Sequence, residues 1–141
     1  MSWLTRRSAF LDDVALLVIR VSSGGLLALH GLSKVRMGTE GFANGLAQKG
    51  LPAPTLLAYA ATLSELVGGA LVLLGLFTRP AAASLFVTMT VAWITTHANQ
   101  AKLVGSGGGV PFEYPFFLST VFLALTLCGG GRFSLDRRGR S

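Results

Sequence analysis

Two stretches decide the fold: Val14–Leu32, VALLVIRVSSGGLLALHGL, and Leu56–Phe77, LLAYAATLSELVGGALVLLGLF. As helices, both are long enough to cross a bilayer, which takes about 20 residues. Each carries one charge in its interior, Arg20 in the first and Glu65 in the second. A lone charge at membrane depth costs at least ~2.5–3.5 kcal/mol even on insertion scales. Two opposite charges at similar depth are therefore expected to pair and to mark a polar site among packed helices.

The composition agrees. Hydrophobic residues make up 51% of the 141 residues and charged residues only 13%, where soluble domains carry about 25% charged residues. Mean hydropathy is +0.60. The expected fold is all-α: an integral membrane four-helix bundle forming one domain over residues 1–141. The net charge of +6 does not point to nucleic acid. The basic residues sit at segment ends, where they set topology and meet anionic head groups, and no basic patch is interleaved with aromatics. The single cysteine, Cys128, excludes an internal disulfide or a C-x-x-C pair. MSWLTRRSAFLDD, ending in Asp12 and Asp13, lacks a convincing cleavage site, so the first segment is expected to remain as an anchor.

Four transmembrane segments are expected, at about 13–34, 55–77, 80–99 and 114–129. Leu51–Pro54 breaks the chain before the second, and Thr78-Arg79 forms a hinge before the third. Pro80 falls in a first turn, where its missing N–H is harmless. Four crossings put both termini on one side with Arg6, Arg7, Arg79, Arg132, Arg137, Arg138 and Arg140. The other side holds Lys34, Arg36, Lys49 and Lys102. The positive-inside rule then makes the termini cytoplasmic, in a bacterial inner membrane. In the first outer loop, TEGFANGLAQKG offers Thr39 as N-cap, Phe42, Ala43, Leu46 and Ala47 on one face, and Gly50 as a stop. This predicts a short amphipathic helix on the outer membrane surface. The glycine-rich VGSGGGVPFEYP lacks a phosphate-loop ending; it is either a flexible cover over a site or a plain linker.

Polar groups gather towards the outer side. Glu65 lies ten residues past Thr55 and Arg20 ten before His30, each roughly 15 Å inward at 1.5 Å per residue. Above this expected pair stand His30 and Lys34 on one helix face, Trp93 and His97 on another, and Glu113 with Tyr114. Arg20, Glu65, His30 and His97 are the candidate catalytic groups. His30, Lys34, Glu65, Trp93, His97, Glu113 and Tyr114 are the candidate ligand contacts. The plainer alternatives are a structural Arg20–Glu65 staple, interfacial histidines, and an aromatic-belt tyrosine. Haem between His30 and His97 is the weaker cofactor reading. No hydrolase triad and no metal-ligand spacing is present.

Taken together, IRVSSGGLLALHGLSKV, GFANGLAQKGLPAP, LSELVGGALVLLGLFTRPAA, FEYPFFLSTVFLAL and GGGRFSLD resemble the DoxX family of small bacterial membrane proteins. The likeness runs from about Leu16 to Asp136. It implies a four-helix membrane protein linked to thiosulfate:quinone oxidoreductase subunits or to complexes that handle oxidative and thiol stress. It thereby implies quinone as ligand and redox proteins as partners. Paired cysteines for direct dithiol exchange are absent from the sequence.

Two functions from different classes follow. The first is a quinone-interacting subunit of a membrane oxidoreductase, its pocket walled by Leu27, Leu66 and Trp93 and floored by Arg20 and Glu65. His30 or His97 would hydrogen-bond a quinone carbonyl. The second is a non-catalytic scaffold or assembly subunit, with homo-oligomerisation an option. A small-solute transporter is disfavoured by the lack of a repeat or a broken-helix pair.

Overall fold

The computed structural model describes residues 8–97 and 113–138. Among these residues every regular element is helical. Helix α1, Ala9–Met37, runs without a proline for 29 residues and gives way to Gly38 at φ 89°. Helix α2, Thr39–Gln48, follows at once. Helix α3 spans Pro54–Leu74 and includes a π-helical turn at Ser64–Gly68. Helix α4, Thr78–Ala92, continues as a second π-turn, Trp93–His97. Helix α5 is Glu113–Cys128 and the short α6 is Leu135–Arg138.

The helix ends follow local chemistry. Gly50 and Gly75 take positive φ, 73° and 71°, a region that side chains with a Cβ avoid. Each closes its helix by the paired bonds of a Schellman motif: Gly50 N to Ala47 O with Leu51 N to Leu46 O, and Gly75 N to Val72 O with Leu76 N to Leu71 O. Helix α3 therefore stops at Leu74 rather than Phe77. The hinge is Gly75–Phe77, and Thr78 and Arg79 already belong to the next helix. Thr39 is the first residue of α2 and not its cap; Gly38 precedes it and Thr39 makes no capping bond. The apolar face of α2 turns inward onto α3, where Ala43 and Leu46 pack with Ala58, Phe42, Leu51 and Leu57. Ala47, expected on that face, is exposed.

Helices α1 and α3 pack antiparallel through small residues. A Cβ on Gly24 would lie 2.6 Å from Leu73 N, one on Gly69 2.5 Å from Ala28 N, and one on Gly31 would meet the Leu66 backbone. Contacts this close require glycine and bring the two backbones together. The three pairs fix one register, in which each step up α1 is one step back along α3. A core of Leu27, Val72, Ala82, Leu85, Met89, Leu118, Phe122 and Leu125 then joins α1 and α3 to α4 and α5.

Outward faces are apolar where a soluble domain would be polar: Leu11, Leu29, Leu56, Leu63, Phe117 and Leu127 are all more than half exposed. Ala9–Met37 and Pro54–Leu74 are each long and apolar enough to cross a membrane.

That register corrects the expected ion pair. It sets Glu65 level with Leu32 and Arg20 level with Phe77, so Arg20 and Glu65 do not meet. Counting inward from His30 and Thr55 assumed that those residues share a level. His30 is instead level with Val67, and α3 runs about twelve residues, roughly 18 Å, beyond it to meet α2. Arg20 is 2% exposed and binds the far end of the chain: Nη1 donates to Gly130 O at 2.8 Å and Nη2 to Phe133 O at 3.0 Å. The segment Gly129–Asp136 thus folds back over the helix ends. The Arg132 N–H donates to Asp13 at 2.8 Å and the Asp136 N–H to Gly75 O at 2.9 Å.

Candidate functional site

Glu65 finds its partner one level up, in Lys34. Lys34 Nζ lies 2.7 Å from Glu65 Oε1, with the carboxylate side chain 4% exposed and the lysine 19%. The same ammonium sits 4.3 Å from the centre of the Phe42 ring, so α2 contributes a cation–π contact that holds the lysine in place. Glu65 is the second residue of the α3 π-turn. An extra residue in a helical turn breaks the regular side-chain spacing, and such turns recur at functional sites.

The pair borders a cavity of about 730 Å³. Its walls are mostly apolar, from Leu27, Leu46, Leu57, Val87, Met89 and Pro115. Three hydroxyls face one another on its wall between α3 and α4: Thr88 Oγ1 donates to Ser64 Oγ at 2.9 Å, and Ser64 Oγ and Ser84 Oγ share a 2.9 Å bond. His30 and Tyr114 close another side, ring centres 6.0 Å apart. Among the described residues Glu65 Oε2 is buried without a hydrogen-bond partner. That is costly for a carboxylate oxygen, on a residue that lines the cavity.

Of the sequence-derived residues, His30, Lys34, Glu65 and Tyr114 come together here. Arg20 is absent from the lining, fourteen residues or about 21 Å down α1 from Lys34. Leu27 lines the cavity but Leu66 and Trp93 do not; Trp93 meets Phe116 edge-on at 5.6 Å. Glu113 starts α5, exposed and off the lining. The His97 side chain and the glycine-rich loop lie outside the described residues. Phe42 as a lysine partner and the Ser64–Ser84–Thr88 cluster were missed. The four-residue spacing of Ser84 and Thr88 on one helix face is the signal that could have found the latter.

At the opposite end, a cavity of about 860 Å³ lies between Thr78, Arg79, Cys128–Gly131, Asp136 and Arg137. Asp136 caps α4 by accepting the N–H groups of Phe77 and Thr78. Burial alone would raise its carboxyl pKa. Thr78, the Phe77 N–H and the charge of Arg20 outweigh that and hold it below the ordinary carboxylate value. With the folded value depressed, stability from Asp136 is complete above the unfolded pKa near ~3.9 and is lost as pH falls through the folded value. Thermal unfolding of the detergent-solubilised protein is accordingly expected to weaken below about pH 4, and Asp136→Asn to flatten that decline. An identical acid profile in the variant would exclude Asp136 as its source.

The site falls almost wholly within the residues, 15–98, that match the DoxX family model. "Putative oxidoreductase CatD" of Bacillus subtilis is 35% identical over 121 residues, 86% of this chain and 83% of that one. "Inner membrane protein YphA" of Escherichia coli is 32% identical over 128 residues, 89% of this chain and 90% of that one. An uncharacterized membrane protein of Mycobacterium tuberculosis is 37% identical over 98 residues, 63% of this chain and 59% of its own length. No solved structure matches at a significant level. The chain belongs to the DoxX family and is a membrane protein of that family.

Proposed function

We propose that this chain is a multi-pass inner-membrane subunit of an oxidoreductase system and that it binds a quinone-type ring in the Lys34–Glu65 cavity. The observation that carries the reading is the cavity itself: about 730 Å³ of mostly apolar space with one partly buried ion pair on its wall. Small-molecule sites have this make-up, apolar walls with a few placed polar groups, and volumes of about 300–1,000 Å³. A ring head group and the first part of an apolar tail fit that space. The relative named as an oxidoreductase lends support of the same kind.

In this reading α1, α3, α4 and α5 form a four-helix membrane bundle with both termini cytoplasmic. Arg79, Arg132 and Arg137 then lie at the cytoplasmic end, near the Arg20 clamp, and the cavity lies towards the outer side. Reducing a quinone takes two electrons and two protons. The electrons would come from a flavin- or haem-bearing partner, and Glu65, Tyr114 and His30, which line the cavity, are the groups that would hold or pass the protons.

The test is extraction of small molecules from protein purified gently from its own membranes. A near-stoichiometric quinone is expected from the natural chain. Ala61→Phe, which fills the cavity wall, should bring it to background while the protein still elutes as a folded species. Wild-type protein carrying only phospholipid would favour the scaffold alternative, with Lys34–Glu65 simply joining α1 to α3.

A further inference from the structure

The unpartnered oxygen of Glu65 says more about the ligand than the cavity's size does. Lys34 has three N–H donors. One goes to Glu65 Oε1, and the Phe42 ring lies against the ammonium. Glu65 Oε2, on a side chain 4% exposed, has no donor among the described residues. Both residues line the cavity, so a ligand that reaches the pair meets two opposite groups: an ammonium that gives a hydrogen bond and a carboxylate oxygen that needs one.

We infer that the Lys34–Glu65 site selects the reduced, hydroxyl-bearing form of its ring ligand over the oxidised, dicarbonyl form. The inference rests on the quinone-type site proposed above and names the redox state that the site prefers. A phenolic hydroxyl both donates and accepts, so one ring oxygen satisfies Glu65 Oε2 and takes a hydrogen bond from Lys34 together. A quinone carbonyl only accepts. It can bond Lys34, but it sets its lone pairs against those of Oε2 and leaves that buried oxygen unsatisfied, which is the expensive case. Thr88 and one of the two serines already donate within their cluster; the remaining serine hydroxyl and Tyr114 do not disturb the preference, because each can donate to a carbonyl or accept from a hydroxyl.

The expected selectivity is about tenfold, the order set by one hydrogen bond to a charged group. Tighter binding of the reduced form raises the midpoint potential of the bound two-electron couple, by about 30 mV for a factor of ten.

The experiment is anaerobic equilibrium dialysis of the full chain in lipid nanodiscs against tetramethyl-1,4-benzoquinone and, separately, its hydroquinone. The wild-type protein should bind the hydroquinone about tenfold more tightly. Glu65→Gln should reverse the order. Lys34 then takes the amide oxygen, and the amide N–H₂ sits where Oε2 was, donating to a carbonyl. Equal affinities, or a wild-type preference for the quinone, would overturn the inference and leave the quinone-type site standing. A hydroquinone preference that survives in Glu65→Gln would also overturn it. Binding of neither probe would sink the proposed site itself. Should Glu65→Gln fail to assemble, the dimethyl ether of the hydroquinone decides on wild-type protein. It keeps the ring and both oxygens but has no O–H, and binding as tight as the hydroquinone would overturn the assignment.

Discussion

Arg20→Met is expected to destabilise the protein by about 3 kcal/mol or more. The guanidinium makes two charge-assisted bonds to the Gly130 and Phe133 carbonyls, each worth roughly 1.5–3 kcal/mol. Methionine fills much of the space but donates to neither carbonyl, which then lack their donor. Relief of the arginine's own desolvation offsets part of the loss. The apparent melting temperature in detergent should fall by roughly 10 °C, and the Gly129–Asp136 segment should become protease-sensitive before the helices do. Arg20→Lys should recover only part of the loss, because a lysine ammonium lacks the planar fork that spans two acceptors. A Met variant as stable as wild type, with its C-terminal segment still protected, would show that the clamp contributes nothing.

Gly31→Ala should be strongly damaging for a change of one methyl group. The added Cβ would overlap the Leu66 backbone, with the Leu66 Cα and Cβ each 2.8 Å away. Backbone cannot rotate aside as a side chain can, so α1 and α3 must separate. Overpacking of this kind costs about 1–3 kcal/mol and occasionally more. Because Gly31 and Lys34 share a helix face, the separation should also pull Lys34 from Glu65 and weaken ligand binding. Gly41→Ala is the control. It sits inside α2 with nothing within 4 Å of the added Cβ, and alanine there should be neutral or stabilising by up to about 1 kcal/mol. Thermal unfolding of both variants checks the pair, and equal effects would contradict the close helix contact at Gly31.

The helical class was readable because apolar runs of membrane length are a strong signal, and Gly50 marked the end of α2 correctly. That Glu65 would have a partner was readable as well, since an acid in such a run needs one. Which partner it has was not. That depends on register, and register here is set by backbone contact at Gly24, Gly31 and Gly69, a three-dimensional fit that spacing along one chain does not encode. Measuring depth from assumed helix ends moved α3 by about three turns and joined the wrong charges. Lys34 was expected at the outer end of the first helix as a ligand contact; that α2 folds over it and sets Phe42 against its ammonium was not legible. The π-turn at Ser64–Gly68 has no compositional mark, so the junction of Glu65 with the Ser64–Ser84–Thr88 hydroxyls stayed hidden. Arg20 was recognised as anomalous, but its partners are carbonyls, which every residue carries and no sequence pattern singles out.

The Arg20 clamp also bears on the order of events during synthesis. Its acceptors lie 110 and 113 residues further along the chain. The first helix is therefore made long before the carbonyls that accept from its buried guanidinium exist. A nascent chain halted before Gly130 holds an arginine with neither carbonyl to bind. The clamp can therefore close only once the final segment has been made.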